Sequence, residues 1–281
     1  MNDAALQSYI DKWLAAEPAQ RIALAFAGAQ REPGAALAAL QREWIAAAHG
    51  IGEPQVAAAK LHWWAGELAG AGASGGRHPL TRALFATGNG RRLPAECWLA
   101  PVLAALAGLE VGTPADFAGQ LRQAEAFHGA LAALETAWWF GAAADSTRAA
   151  RMATLGHVLR ATAQLGRDAS GERLPLPMAR LARHGLDRDS LRHDSPARRD
   201  ALRAQATDLA AAWRRAWQLP GPLTPLRGLE ARLGERLARR VARAAQPLAV
   251  LQAGLARTGG PGTVLRAWSA ARAWQRALAA A

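Results

Sequence analysis

Nearly every apolar run in this chain is written in residues that prefer helix, and proline stands ahead of most of them. Alanine and leucine dominate the apolar 51% of the 281 residues, while the β-branched residues that favour strands are scarce. Proline fits the first turn of a helix, where its missing N–H leaves no bond unmade, and it stops a helix elsewhere. Pro33, Pro54, Pro79, Pro94, Pro196, Pro225 and Pro261 therefore read as helix openers. Apolar spacing predicts helices over about 3–16, 19–30, 33–48, 54–68, 79–85, 94–106, 114–140, 146–165, 178–184, 196–217, 225–255 (bent at Pro247) and 261 to the end. Thr113-Pro114 reads as the N-cap and first residue of the long helix to Phe140, and Asp145 or Ser146 as the next cap. Gly70 to Gly76 reads as a flexible loop, Gly88-Asn89-Gly90 and Ser170-Gly171 as turns, and 166–177 as irregular. There is no strand–helix alternation and no short repeat. The expected fold class is all-α, a single domain over 1–281 built as a bundle of roughly ten helices.

A chain of this length buries a sizeable core without disulfides or metals. Its one cysteine, Cys97, excludes an internal disulfide framework and fits a reducing compartment; beside Trp98 in an apolar run it is expected to be buried and inert. The first residues lack a basic region followed by an apolar segment, and no stretch reaches the ~20 apolar residues of a membrane span. The expected location is cytoplasmic, with peripheral contact at the inner membrane face allowed. The formal charge of +12 is concentrated: from Arg192 onward there are 16 arginines against five acids, a net +11. A surface of that sign suits an anionic partner.

Three segments carry a resemblance. The first is Ala36-Leu37-Ala38-Ala39-Leu40-Gln41-Arg42-Glu43, followed by Lys60-Leu61-His62-Trp63-Trp64-Ala65-Gly66-Glu67-Leu68. The second is His78-Pro79-Leu80-Thr81-Arg82-Ala83-Leu84. The third joins Leu155-Gly156, Leu159-Arg160, Leu174-Pro175-Leu176-Pro177 and His184-Gly185. In this order, over about 20–190, they resemble the squalene/phytoene synthase family. Arg42 and Glu43 precede that family's first aspartate motif; Trp63, Trp64, Glu67, His78 and Pro79 belong to its scaffold; Arg160 flanks its second motif. The resemblance implies an isoprenoid-synthase-like bundle around a central cavity. It also implies an activity, the head-to-head condensation of prenyl diphosphates, with Mg²⁺ held by acids on facing helices.

The matched positions depart from that chemistry. The first motif's acids fall on Ile45 and His49, the second's on Ala161 and Leu165, all four expected to line the cavity. Mg²⁺ demands hard oxygen ligands to neutralise a departing diphosphate, and none of these residues supplies one. A shifted alignment recruits Asp168 with Glu172 four residues on, in an irregular stretch interrupted by Gly171, and an active prenyltransferase using that pair is the alternative reading. The expectation is therefore a family member without catalytic residues and without a cofactor, Mg²⁺ returning only if prenyl transfer survives. Similar losses mark a branch of the family that is a mitochondrial respiratory complex I assembly factor, which the Leu159-Arg160-Ala161-Thr162 segment resembles.

Of the seven histidines, none is paired at zinc-ligand spacing, and metal binding through them is not expected. The resemblance turns His49 and His157 toward the cavity as neutral, packed side chains. Eleven tryptophans read chiefly as core, among them Trp213 and Trp217 one helical turn apart. Leu229, Leu233 and Leu237 form an apolar stripe, and Arg232, Arg236, Arg239 and Arg243 a basic one, on a single amphipathic helix. That basic face suits anionic lipid headgroups. Expected partners are an isoprenoid-like or other apolar ligand, a protein partner or an anionic membrane surface. Nucleic acid is a weaker alternative, since no recognition fold is visible.

Overall fold

The computed structural model describes residues 4–165, 174–257 and 259–279. Asp168 and Glu172, the alternative carboxylate pair, lie outside the described residues, as does Ser170-Gly171. Among the described residues the chain is helical with no strand: α1 (Ala4–Ala16), α2 (Pro18–Leu24), α3 (Arg31–His49), α4 (Pro54–Ser74), α5 (Pro79–Phe85), α6 (Gly88–Arg92), α7 (Ala95–Gly108), α8 (Phe117–Phe140), α9 (Thr147–Ala163), α10 (Met178–Arg183), α11 (Pro196–Ala216), α12 (Pro225–Val241), α13 (Pro247–Ala256) and α14 (Pro261–Ala279). Proline occupies the first turn of α2, α4, α5, α11, α12 and α13. No helix among these is long and apolar enough to cross a membrane.

Several boundaries differ from the sequence reading for identifiable reasons. Gly70 to Gly76 is not a loop: α4 runs on to Ser74, and Gly75, at φ +80°, takes the left-handed conformation that ends it. Buried Ala71 holds that extension against the core. Gly88-Asn89-Gly90 opens the short helix α6, with the Thr87 hydroxyl accepting from the Gly90 N–H at 3.0 Å. The long helix begins at Phe117 rather than Pro114, because Asp116 is the cap and accepts from the Gly119 N–H at 2.7 Å. Thr113 instead accepts from the Leu174 N–H at 2.9 Å, tying the return of the chain to that corner. The run 225–255 is two helices, α12 and α13, separated ahead of Pro247.

The helices pack as two apolar halves. Trp44, Leu61, Trp64, Trp98 and Trp138, from α3, α4, α7 and α8, centre the first. Met152, Leu155, Leu209, Trp213 and Leu237, from α9, α11 and α12, centre the second. A smaller cluster of leucines gathers around Leu176 and Leu202. Packing of α8 on α9 joins the halves, and α12 packs on α9, α11 and α14. Cys97 is half-buried, and burial, aided by Glu96, pushes its thiol above the ordinary value, which disfavours the reactive thiolate.

The segment Trp63-Trp64-Glu67 and the segment His78-Pro79 form one structural joint. The Glu67 side chain is fully buried and accepts from the backbone N–H groups of Arg77 and His78 at 2.6 and 2.7 Å and from the Thr81 hydroxyl at 2.5 Å. It thereby satisfies donors at the start of α5, where a negative charge also meets the helix dipole. The His78 ring packs against Tyr9, Trp63 and Trp64 at centroid distances of 4.7, 6.0 and 4.8 Å. Burial pushes the Glu67 carboxyl up, but the bonds from His78, Thr81 and Arg77 outweigh it and hold the group below the usual range.

Two outcomes follow from this packing. Gly234 of α12 lies so close to Trp213 that an added Cβ would sit 2.7 Å from the indole. Gly234→Ala should cost about 1–3 kcal/mol, which calorimetry would read as a Tm loss of roughly 2–4 °C per kcal/mol. An unchanged Tm would show that α11 and α12 do not approach this closely. For Glu67, a depressed folded pKa means stabilisation present above the unfolded value of about 4.3 and lost as pH falls through the folded value. Glu67→Gln should therefore be less stable than wild type at pH 7, with the gap narrowing in acid; denaturant titrations at both pH values check it.

Candidate functional site

At the seam between the two halves, α3, α8, α9 and α12 turn polar side chains inward. Arg227, near the start of α12, is buried and reaches Glu135 of α8 at 2.6 Å and Glu230, one turn along its own helix, at 2.9 Å. The Thr224 hydroxyl, which caps α12, also donates to Glu135. Glu230 lies 3.8 Å from Arg160 of α9 and 3.8 Å from Arg42 of α3, and Arg42 pairs with Glu17 at 2.9 Å. The Gln20 amide oxygen accepts from Arg42 at 2.6 and 3.2 Å. Three guanidinium groups thus face three carboxylates, and the network is neutral overall.

Burial alone would push the Glu230 carboxyl up, but Arg227, Arg160 and Arg42 hold it below the usual range. Burial opposes the charge on Arg227, yet Glu135 and Glu230 raise it above its ordinary value. The space left among Gln41, Arg42, Ile45, His128, Arg160 and Glu230 is only about 20 Å³. That is room for about one water molecule.

Directly beside this network three imidazoles meet. His49 ends α3, His128 lies mid-way along α8 and His157 lies on α9. The Nε2 atoms of His49 and His128 are 3.1 Å apart. The rings stack, with centroids 5.3 Å apart for His49–His128, 4.6 Å for His49–His157 and 3.8 Å for His128–His157. His128 is buried, His157 half-buried and His49 exposed. Burial, then the neighbouring His157 and His49 and the cations Arg160 and Arg227, pulls His128 well below the ordinary histidine value.

The residues singled out from sequence separate in space. Ile45, Arg42 and Arg160 line the central pocket, and His49 joins the imidazole stack at its rim. Leu165 does not line the pocket: it follows the end of α9 and packs fully buried among Leu174, Leu176 and Leu181. Ala161, half-buried on α9, is not among the residues that line it. Glu43 points away from the pocket and takes Trp13, Lys60 and Lys12 at 3.1, 3.2 and 3.4 Å, pinning α1 and α4 to α3. Trp63, Trp64, Glu67, His78 and Pro79 form the α4–α5 joint. Arg236 and Arg239 on α12 and Arg243 in the turn after it are exposed along a surface groove, so the arginine stripe expected on one helix runs past the helix end at Val241, while Arg232 folds back to its own helix at the Gly228 carbonyl and stacks on Trp217 at 5.4 Å.

Glu135, Arg227 and Glu230 were not singled out from sequence. Glu135 carries a weak signal, a lone acid inside the apolar run Leu131 to Trp138. The Arg227 and Glu230 pair, three apart, reads equally well as an ordinary surface pair.

No curated protein sequence matches the chain. Among solved structures, squalene synthase HpnC from Alicyclobacillus acidocaldarius superposes with a TM-score of 0.66 at 19% identity, covering 90% of this chain and 92% of that one. A dehydrosqualene synthase solved in complex with a ligand superposes with a TM-score of 0.72 at 10% identity, covering 96% of each chain. These likenesses establish the all-α isoprenoid-synthase-like fold. The sequence profile of squalene/phytoene synthase matches residues 20–258, and on that match the chain belongs to the squalene/phytoene synthase family.

Proposed function

We propose that this chain has left prenyl-diphosphate condensation and serves as a non-catalytic binding protein at an anionic membrane surface. The observation that carries the reading is the filled centre. The pocket retains about 20 Å³, where two prenyl chains and their diphosphates would need far more. Each of Glu17, Glu135 and Glu230 is already clamped by a guanidinium, so its oxygens are committed. Ile45 in the pocket wall and His49 at its rim supply no hard oxygen, and with the acids already paired the described lining does not suit Mg²⁺ and a diphosphate. Stripping water from such a charged substrate in this setting would go uncompensated.

The outer surface supports the second half of the reading. On α14, Leu265 is 69% and Trp268 49% exposed, with Val264 beside them. Arg272 lies 5.1 Å over the Trp268 ring. Arginine beside exposed tryptophan and leucine on one amphipathic helix is the composition of an interfacial anchor. The exposed Arg236 and Arg239 of α12, with Arg243 in the turn that follows, extend the positive charge. An assembly role for a protein partner at that surface is compatible with the same geometry, as the resemblance to an assembly-factor branch suggests.

Incubation with farnesyl or geranylgeranyl diphosphate and Mg²⁺ should give no condensed product above a no-enzyme control; turnover would overturn the non-catalytic reading. Co-sedimentation with phosphatidylcholine vesicles should be weak, and should rise at least tenfold when phosphatidylglycerol is added at low salt. The double substitution Leu265→Glu and Trp268→Glu, on exposed positions, should abolish that gain. Equal sedimentation with neutral and anionic vesicles, or an unaffected double variant, would remove the membrane reading, and salt-resistant binding to nucleic acid would replace it.

A further inference from the structure

The imidazole stack has no counterpart in the sequence spacing, because its members come from three helices: residues 49 and 128 are 79 apart and residues 128 and 157 are 29 apart. We infer that His49, His128 and His157 form a binding site for one divalent transition-metal ion of the zinc class.

The geometry supports this directly. One ring nitrogen from each histidine lies within 4.8 Å of the other two. Around a tetrahedral Zn²⁺, with Zn–N distances of 2.0–2.1 Å, ligand nitrogens stand about 3.3 Å apart, and the His49 and His128 nitrogens are already at 3.1 Å. The rings lie within 10–25° of parallel, so ligation requires rotation about the Cβ–Cγ bonds to make the lone pairs converge. His128 and His157 sit on the packed helices α8 and α9, and His49, at the end of α3, already reaches His128 at 3.1 Å.

The surroundings suit the ion's chemistry. A metal ligand must be neutral imidazole, and His128 is buried, where a charged ring would be costly. The cations facing it, Arg160 of α9 and Arg227 of α12, are balanced by Glu230 and Glu135. Phe127 packs beside the outermost and the innermost ligand, His49 and His128, at 5.6 and 4.9 Å, an apolar wall on one side of the stack. Exposure falls from His49 to His157 to His128, giving the ion an entry path and leaving the solvent side for a fourth ligand, water or a small anion. Three nitrogens and no carboxylate select Zn²⁺, Co²⁺, Ni²⁺ or Cu²⁺ over Mg²⁺ and Ca²⁺.

The test uses full-length protein without a polyhistidine tag, stripped with chelator and dialysed. Titration with Co²⁺ should show one equivalent bound with the intense visible absorption of a four-coordinate site, displaced by Zn²⁺ and untouched by Mg²⁺. His49→Ala and His157→Ala should each weaken Co²⁺ binding at least tenfold, with circular dichroism confirming the fold, while His62→Ala and His193→Ala leave it unchanged. His128 is buried, so its substitution can disturb folding and is not the deciding variant. Absence of saturable binding, or binding that persists in the His49→Ala and His157→Ala double variant, would overturn the site. Neither outcome bears on prenyl transfer or membrane binding, which are read separately.

Discussion

The interior is organised around the guanidinium of Arg227, held between Glu135 and Glu230. A charge removed from water costs several kcal/mol unless it is paired and hydrogen-bonded, and truncating one partner leaves the other stranded. Here the pairing propagates. Glu230 passes the constraint to Arg160 and Arg42, and Arg42 passes it to Glu17 at the edge of α2. Helices α3, α8, α9 and α12 are therefore locked at their shared seam by charge complementarity, with apolar packing on either side. Such a network specifies one arrangement of the helices more than it adds net stability.

The same network decides what the centre can hold. In a bundle that works on a charged substrate, inward acids must remain free to bind metal. Here every described acid at the seam already faces an arginine, and the arginines occupy the volume themselves. Neutrality is the key property: three cations against three anions exert little net pull on an incoming diphosphate. The imidazoles gather at the rim, where His49, His128 and His157 stack. The centre of the fold and its rim thus carry different chemistries, one closed by ion pairs and one built from imidazole.

Much of the fold was legible along the chain because its cues are local. Proline at a first helical turn acts through its own missing N–H, and apolar spacing acts through the 3.6-residue turn; both need no distant partner. The family was legible for a related reason: Trp63-Trp64-Glu67 and His78-Pro79 lie close in sequence and build one joint. Where local cues competed, the reading slipped. Glycines suggested a loop at Gly70 to Gly76, yet buried Ala71 carries the helix through. Thr113 looked like a cap, yet Asp116 has the better reach and Thr113 is drawn off to the Leu174 amide.

The site was only half legible, and the division follows the range of the interactions. Sequence by itself determined the all-helical class, the family and the concentration of arginine in the last third, because each is a property of residue type at a position. Tertiary structure alone decided that Glu135 meets Arg227 across 92 residues and that His49 meets His128 across 79. It also decided that Leu165 belongs to a leucine cluster and not to the pocket. Pairing of charges and convergence of imidazoles depend on how helices cross, and no spacing along a single chain records that crossing.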